Sequence, residues 1–292
     1  MLAEFFAQKV LAQLGADTTG SLYLDPDGHF PNHIPNPENK EAMDAIRGAV
    51  LNNKADLGLI FDTDVDRMSA VFSDGQEVNR DALIAMMAAI LVKDYPNSTI
   101  VTDSVTSDKL TAFLEGELQL KHHRFQRGYK NVINECKRLN EEGVVSPLAI
   151  ETSGHGALKE NYYLDDGAYM AVKLLIAAAK TKAEGKTLNS LIEKLEPQFE
   201  TAEYRLKLKG EDFKAYGAKV LEAFTARAKE KGYHIVTPNY EGVRISFKGE
   251  ANGWALLRQS LHDPNMPLNV EGNGEGDCAK NHSNDERIIK WL

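Results

Sequence analysis

Residues 57–67 have the sequence LGLIFDTDVDR, in which a short apolar run is followed at once by carboxylates at alternate positions. The apolar run predicts a buried β-strand, so Asp62, Asp64 and Asp66 fall in the loop after it. Ligands of α/β sheets commonly bind beyond the carboxyl ends of strands. Three neighbouring carboxylates repel one another unless a cation lies between them, and hard oxygen ligands suit Mg²⁺ or Ca²⁺. The pattern favours a metal-binding loop, with a solvated acidic turn as the alternative.

The residues around this strand predict an α/β domain over residues 1–76. Apolar side chains recur at helical spacing from Leu2 to Leu14, and Asn36-Pro37 opens a second helix after a loop rich in Pro, Asn, Gly and Asp. The alternation of helices and strands predicts a parallel sheet with covering helices. Because the chain opens on a helix with no strand before it, we expect this first domain to be truncated at its front edge.

Two further domains are expected after the first. Residues 77–197 again alternate between helical and strand patterns, which predicts a second α/β domain, and Pro197 marks its boundary. Residues 198–292 combine one long helical pattern at 211–231 with several short strand patterns, which predicts a small α+β domain. The expected fold class is therefore α/β, with two α/β domains followed by a C-terminal α+β domain.

The composition is typical of a soluble globular protein. The chain has 292 residues and a formal net charge of −9, from 34 basic and 43 acidic residues, so a nucleic-acid-binding surface is not expected. Its two cysteines cannot form a disulfide framework and fit a reducing cytoplasm. No apolar run is long enough to span a membrane, and the start lacks the basic leader of a signal peptide. We expect a cytoplasmic protein with no nucleic-acid or membrane partner.

Three further segments carry polar residues suited to an anionic or hydroxyl-rich ligand. Residues 128–130, GYK, precede a predicted helix; taken alone, they are also typical of a loop with an exposed lysine. Residues 151–156, ETSGHG, follow a predicted strand, and their small residues allow close backbone approach while Glu and Ser offer an acceptor and a donor to hydroxyl groups. Residues 258–260, RQS, offer bidentate phosphate recognition by Arg and a hydroxyl donor from Ser. A glycine-rich turn and an edge-strand arginine are the alternatives for the last two.

The four segments together resemble the motifs of the α-D-phosphohexomutases, the phosphoglucomutase and phosphomannomutase family. Residues 62–67 are similar to the family's Asp-Gly-Asp-x-Asp-Arg metal loop, with Thr63 in place of the Gly. The other three resemble its Gly-aromatic-Lys segment, its Glu-x-Ser-Gly-His sugar-binding loop and its Arg-x-Ser phosphate-binding loop. They occur in the family's order and at domain-sized intervals. The resemblance covers the back of the family's second domain, then the third and fourth.

The resemblance implies a role for each motif residue. Mg²⁺ would be bound by Asp62, Asp64 and Asp66, and the catalytic side chains that stabilise charge or assist proton transfer would be Arg67 and Lys130. The residues implied to bind substrate are Glu151, Ser153, His155, Arg258, Ser260 and His262. Among these, Glu151 and Ser153 would contact the hexose hydroxyls, and His155 would orient its loop or contact the phosphoryl end. Because Leu261 replaces a hydrogen-bonding residue of the phosphate loop, His262 is the candidate substitute.

In the family, a phosphoserine gives its phosphoryl group to a hexose monophosphate, and the resulting bisphosphate returns the other phosphate to the serine. The usual serine motif, Thr-x-Ser-His-Asn-Pro, does not occur in the 292 residues. We therefore expect a chain that corresponds to the rear part of a longer mutase acting on glucose and/or mannose phosphates, and that is inactive without the phosphoserine domain. A truncated first domain would also leave a sheet edge exposed, which favours self-association.

Two other functions remain open from the residues. The chain could be a non-catalytic module that binds Mg²⁺ and a sugar phosphate. It could also be a metal-dependent phosphatase in which a carboxylate such as Asp62 is the nucleophile.

Overall fold

The computed structural model describes residues 2–208, 212–247, 253–260 and 263–278, and it divides into two compact units. Unit 1 comprises Met1–His123 and Arg127–Leu195, and unit 2 comprises Arg124–Gln126 and Glu196–Leu292. In the part of the chain that is described, no helix combines the length and the apolar character needed to cross a bilayer.

Unit 1 begins with a short helix α1 (Leu2–Phe5) that continues as a wider π-helical turn over Phe6–Leu11. Helix α2 (Lys40–Asn53) follows a long loop, and the side chain of Asn39 caps it by accepting the N–H of Ala42. Strands β1 (Leu57–Phe61), β2 (Met68–Phe72) and β3 (Glu77–Val78) then form a three-stranded sheet in the order β1-β2-β3.

This first sheet is antiparallel, so the parallel sheet predicted there is wrong. The physical reason is the connection between β1 and β2, which consists only of residues 62–67. A short connection returns the chain beside itself, whereas parallel strands need a crossover of a dozen or more residues. Strand β2 was not recognised in the sequence, although every one of its residues is buried.

The second sheet of unit 1 has the strand order β5-β4-β6-β7. Strand β4 (Thr99–Thr102) pairs in parallel with β6 (Leu148–Ile150), and β6 pairs antiparallel with β7 (Gly156–Leu158), while β5 (Lys121–Arg124) lies on the edge. The helices are α3 (Arg80–Leu91), α4 (Asp108–Ala112) with a π-helical turn at Phe113–Glu117, α5 (Tyr129–Glu141) and α6 (Gly167–Ala183). Two 3₁₀ turns, Lys159–Asn161 and Leu188–Ile192, complete the unit.

One hydrophobic core joins the two sheets of unit 1. It includes Met68 and Phe72 from β2, Met87 from α3, Ile150 from β6 and Leu174 from α6, all of them buried. The predicted α/β character of the chain is therefore confirmed. Because β2 and β6 share this core, the loops that follow β1 and β6 are held in a fixed relation.

Unit 2 is an α+β arrangement of one helix on one antiparallel sheet. The sheet has the order β8-β12-β11-β10-β9, formed by Glu200–Lys207, Asn265–Gly272, Gly253–Leu257, Val243–Phe247 and His234–Ile235 respectively. Helix α7 (Phe213–Glu230) covers one face, and its Phe224 packs with Ile245, Leu257 and Leu268 in a separate core. Strand β8 alternates half-buried and exposed residues, as expected for a strand with one face on a core.

Candidate functional site

The acidic loop between β1 and β2 is closed by contacts between its two ends. The N–H of Asp62 donates to the carbonyl of Arg67 at 3.4 Å. In return, the Asp62 carboxylate accepts the Arg67 backbone N–H at 3.2 Å and the Arg67 Nε–H at 2.7 Å. The Asp62 side chain is only 2 % exposed, so this charged contact is well shielded from water. Arg67 therefore neutralises Asp62 and fixes the turn.

Within this loop the three aspartates converge. Asp62, Asp64 and Asp66 each offer a carboxylate oxygen, and these oxygens all lie within 4.8 Å of one another. An all-oxygen, all-carboxylate set is what a hard divalent cation such as Mg²⁺ prefers, and an oxygen that already accepts an N–H keeps a second lone pair for a cation. The residues present therefore fit the metal that the sequence implied.

Val65 places the neighbouring carboxylates by adopting an unfavourable backbone conformation. Its φ of +66° lies in the left-handed region, which is rare for a β-branched residue, and its side chain is buried. The Val65 carbonyl accepts the N–H of Gly167, at the start of α6, at 3.0 Å. Strain of this kind persists only where surrounding contacts over-determine it, and it is concentrated at functional sites.

The loop Glu151–His155, between β6 and β7, lies directly against the acidic loop. The N–H of Met68 donates to the carbonyl of Gly154 at 3.2 Å, and Arg67 and His155 form a bridge pair across the two loops. Gly154 has a φ of +96°, and a Cβ at this position would lie 2.5 Å from the Met68 carbonyl oxygen. Only glycine allows this approach.

Glu151 is buried at the base of the second loop. Its Oε1 accepts the backbone N–H of Gly128 at 2.6 Å, and the Ser153 hydroxyl donates to its Oε2 at 3.4 Å. Burial, together with the nearby Asp103 carboxylate, raises the pKa of Glu151 to about 7, although the Gly128 hydrogen bond opposes the shift. Glu151 can therefore donate or accept a proton near neutral pH.

His155 is surrounded by carboxylates. Its Nδ1 lies 2.8 Å from Asp165 Oδ2 and 3.6 Å from Asp66 Oδ1. Burial lowers the pKa of His155, but the attraction of Asp165, Asp66 and Glu151 outweighs it, so the pKa is raised above its ordinary value. The ring also stacks on Tyr129, with centroids 5.0 Å apart and planes inclined by 23°.

Asp66 connects the acidic loop with this histidine. Burial and the neighbouring carboxylates of Asp62, Asp165 and Asp64 raise the pKa of Asp66 to about 6, against the opposing attraction of His155. A carboxyl group that resists ionisation beside other carboxylates is the arrangement expected at a site built for a cation.

Two residues of this site were not recognised in the sequence. Asp165 belongs to none of the sequence motifs, and Tyr129 enters only as the aromatic residue of the Gly-aromatic-Lys segment. The available signal was the sequence Asp165-Asp166-Gly167, in which Asp166 alone caps α6 by accepting the N–H of Tyr169. Because Asp166 caps the helix, the carboxylate of Asp165 is available to contact His155.

The remaining predicted residues lie in different surroundings. Lys130 is exposed at the start of α5, with its Nζ 5.8 Å from the centroid of the Tyr129 ring. In unit 2, Nη1 of Arg258 lies 3.8 Å from Oε1 of Glu241. The Ser260 hydroxyl accepts the backbone N–H of Asp263 at 3.2 Å. His262 lies outside the described residues.

Comparison with known proteins identifies the family. Residues 2–75 match the alpha/beta/alpha domain II of phosphoglucomutase/phosphomannomutase, and residues 79–199 match domain III. The phosphomannomutase/phosphoglucomutase of Pseudomonas putida is 29% identical over 94% of this chain and 55% of its own length. A probable phosphoglucosamine mutase of Methanocella arvoryzae is 30% identical over 96% of this chain and 58% of its own.

A solved structure agrees with these matches. The crystal structure of a phosphoglucomutase/phosphomannomutase family protein from Burkholderia thailandensis is 26% identical and superposes with a TM-score of 0.79, over 98% of this chain and 57% of that one. The chain belongs to the α-D-phosphohexomutase family, which confirms the resemblance found in its motifs. It spans a little over half the length of these relatives.

Proposed function

We propose that this chain supplies the metal-binding and sugar-binding portions of a phosphohexomutase, which interconverts hexose 1-phosphate and hexose 6-phosphate. The observation that supports this most strongly is the direct contact of the Asp62–Arg67 loop with the Glu151–His155 loop. A cation held by the first loop and a sugar held by the second would then be neighbours. Phosphoryl transfer depends mainly on such positioning and on stabilisation of charge.

Asp62, Asp64 and Asp66 would hold Mg²⁺ in this proposal. When bound there, Mg²⁺ supplies neutralisation of the negative charge on the phosphoryl group during its transfer. Arg67 keeps Asp62 in place through two hydrogen bonds, and its guanidinium adds positive charge beside the reacting group. Lys130 adds a second positive charge from the start of α5.

Glu151 and Ser153 would bind hydroxyl groups of the hexose, as acceptor and as donor. His155 would accept a proton from the attacking sugar hydroxyl at Nε2, and the contact of Asp165 with Nδ1 supports that role. The Arg258–Ser260 segment, with His262, would bind the phosphate that is not reacting.

The nucleophile in this proposal is a phosphoserine supplied by a segment outside these 292 residues. The chain alone then has no group to carry the phosphoryl between the two positions of the sugar, and we expect it not to turn over. The substrate is proposed as a class, the hexose phosphates, because the relatives include both a phosphomannomutase/phosphoglucomutase and a probable phosphoglucosamine mutase.

The phosphatase alternative requires a free carboxylate nucleophile at Asp62. Both oxygens of that side chain already accept hydrogen bonds from Arg67, and the side chain is buried, which disfavours attack on phosphorus. The binding-module alternative uses the same loops and differs only in the absence of turnover.

The test is complementation with a separate serine-bearing domain. The purified chain is mixed with the N-terminal portion of the Pseudomonas putida relative, and conversion of glucose 1-phosphate to glucose 6-phosphate is followed with Mg²⁺ and a trace of glucose 1,6-bisphosphate. Conversion that needs both parts, and that is lost with Asp64→Asn, supports the proposal.

Three other outcomes would contradict it. Bisphosphate binding without any rescue would favour the binding module. Release of inorganic phosphate by the chain alone, abolished by Asp62→Asn, would favour the phosphatase. Robust mutase turnover by the chain alone would refute the external serine.

A further inference from the structure

We propose that Asp66, His155 and Asp165 form a second cation site, chemically distinct from the three-aspartate loop and selective for a borderline transition-metal ion such as Zn²⁺. The site shares only Asp66 with that loop. Binding of the ion does not depend on the function proposed above, whereas its inhibitory consequence rests on that function.

The three side chains converge at the spacing of metal ligands. Each offers one ligand atom, and these atoms all lie within 4.8 Å of one another. Nδ1 of His155 is 2.8 Å from Asp165 Oδ2 and 3.6 Å from Asp66 Oδ1. Two ligands that each lie about 2.05 Å from a tetrahedral zinc ion are roughly 3.3 Å apart, and the observed separations lie on either side of that value.

These atoms are also shielded from solvent and lack aligned hydrogen bonds. Asp66 Oδ1, His155 Nδ1 and Asp165 Oδ2 are inaccessible to water, and the ion-pair contacts between them have no aligned hydrogen bond. Buried polar atoms usually have directional partners, and these three atoms have only one another. A cation at their centre would satisfy all three.

The surroundings hold the ligands in position. The other oxygen of Asp165, Oδ1, accepts the N–H of Gly156 at 3.1 Å, which fixes Oδ2 toward the imidazole. The Tyr129 ring stacks on the imidazole of His155 and limits its rotation. Such supporting contacts are typical of metal ligands and raise affinity by removing the cost of ordering them.

The donor set determines which ion the site prefers. The three-aspartate loop offers oxygen only and suits Mg²⁺, whereas one imidazole nitrogen with two carboxylates suits Zn²⁺. Three protein ligands is also the number usual in zinc sites that keep one position open. Since a carboxylate has two oxygens, Asp66 can bind an ion at either site.

Occupation of this site would affect the proposed mutase chemistry. The ion binds Nδ1 in place of its proton, which passes to solvent, and the contact between Asp165 and the imidazole is replaced by coordination. With the ion on Nδ1, the one proton of the neutral ring resides on Nε2, so the histidine cannot accept the sugar hydroxyl proton there. We therefore expect micromolar Zn²⁺ to inhibit the complemented enzyme even when Mg²⁺ is saturating.

The binding test uses the chain alone. Zn²⁺ is titrated in saturating Mg²⁺ against a chromophoric chelator, and Co²⁺ absorption in the visible range reports a low-coordinate nitrogen and oxygen site. We expect one site in the wild type, weakened at least tenfold by Asp165→Asn, which keeps Oδ1 for Gly156, and by His155→Gln. Asp64→Asn, which removes a ligand of the Mg²⁺ loop only, should leave Zn²⁺ binding unchanged.

The reciprocal result separates the two sites. Asp165→Asn should still be stabilised by Mg²⁺, which also shows that the variant is folded. Unchanged Zn²⁺ affinity in both Asp165→Asn and His155→Gln, or loss of affinity in Asp64→Asn, would overturn the proposal. If the variants fail to fold, nitrogen NMR of the wild-type histidine rings decides, because Zn²⁺ must shift Nδ1 of His155; a shift confined to other histidines contradicts the site.

Discussion

Oε1 of Glu151 accepts the backbone N–H of Gly128 at 2.6 Å, which links the loop after β6 to the start of α5. The contact places the buried carboxyl group of Glu151 next to Gly128, which directly precedes Tyr129 and Lys130 in the chain. Because the group is buried near Asp103, its pKa is raised to about 7. This shift has a measurable effect on stability.

We expect Glu151 to make stability fall as pH rises. The folded-state pKa of about 7 exceeds the reference value of 4.5, so the folded protein binds the proton more tightly. The contribution is complete below about pH 4.5 and is lost as pH rises through 7. Glu151→Gln keeps the Gly128 contact and should flatten this fall, making the variant more stable than the wild type above pH 7, by at most about 3 kcal/mol.

Urea unfolding followed by circular dichroism from pH 4.5 to 8.5 measures the difference between the two proteins. Glu193→Gln, at an exposed glutamate, is the matched control and should leave the profile unchanged. Parallel pH profiles for the wild type and Glu151→Gln would show that Glu151 does not titrate in this range.

Gly154→Ala should disrupt the junction of the two loops. The added Cβ would lie 2.5 Å from the Met68 carbonyl oxygen, at a residue with a φ of +96°. Steric and backbone strain together should lower the free energy of unfolding by about 2 kcal/mol or more. Gly116→Ala is the control, because a Cβ there meets nothing within 4 Å. Equal stability losses in the two variants would argue against a close loop contact.

Mg²⁺ should stabilise the folded chain through the acidic loop. A ligand that binds only the folded state at 100 times its dissociation constant adds about 2.7 kcal/mol. Asp64→Asn should remove most of this gain without unfolding the protein, because Asp64 is exposed and accepts only a long hydrogen bond, 3.5 Å, from the Thr63 hydroxyl among the contacts described. Asp94→Asn, at an exposed aspartate outside the cluster, should keep the full Mg²⁺ gain in thermal unfolding.

Tyr129 should position the imidazole of His155. The stacked rings predict upfield-shifted imidazole C–H protons in the NMR spectrum of the wild type and of Tyr129→Phe, which keeps the ring. Tyr129→Ala should return those signals toward ordinary values and lower stability by about 0.5–1.5 kcal/mol. Identical His155 signals in the Ala and Phe variants would show that the stack is absent in solution.

Local chemistry made part of this molecule predictable. An apolar strand followed by alternating carboxylates can be recognised from a few consecutive residues. The same is true of the ETSGHG loop after a short strand. The α/β character followed from helical and strand periodicity for the same reason. These features depend on neighbours in the sequence, which periodicity and motif order can detect.

The rest depended on contacts between distant residues. The direction of β2 was set by the closing of residues 62–67, through hydrogen bonds between Asp62 and Arg67 that no periodic pattern records. Asp165 lies beside His155 where β7 pairs back on β6 and Ala157 forms a bridge pair with Asp165. Tyr129 reaches the same histidine from the first turn of another helix. Each contact is a property of packing: the Asp165-Asp166-Gly167 sequence marks a second carboxylate beside the helix cap, but nothing local identifies its partner.

The central claim is that Asp62, Asp64 and Asp66 hold a divalent ion beside the Glu151–His155 loop, for which we propose sugar binding. Crystals of the chain soaked with Mn²⁺, which replaces Mg²⁺ and scatters anomalously, test it most directly. The account predicts an anomalous peak within coordination distance of all three carboxylates, on the side of the acidic loop that faces the Glu151–His155 loop. Mn²⁺ bound elsewhere with these three carboxylates uncoordinated, or coordinates in which the two loops face opposite sides of unit 1, would contradict it.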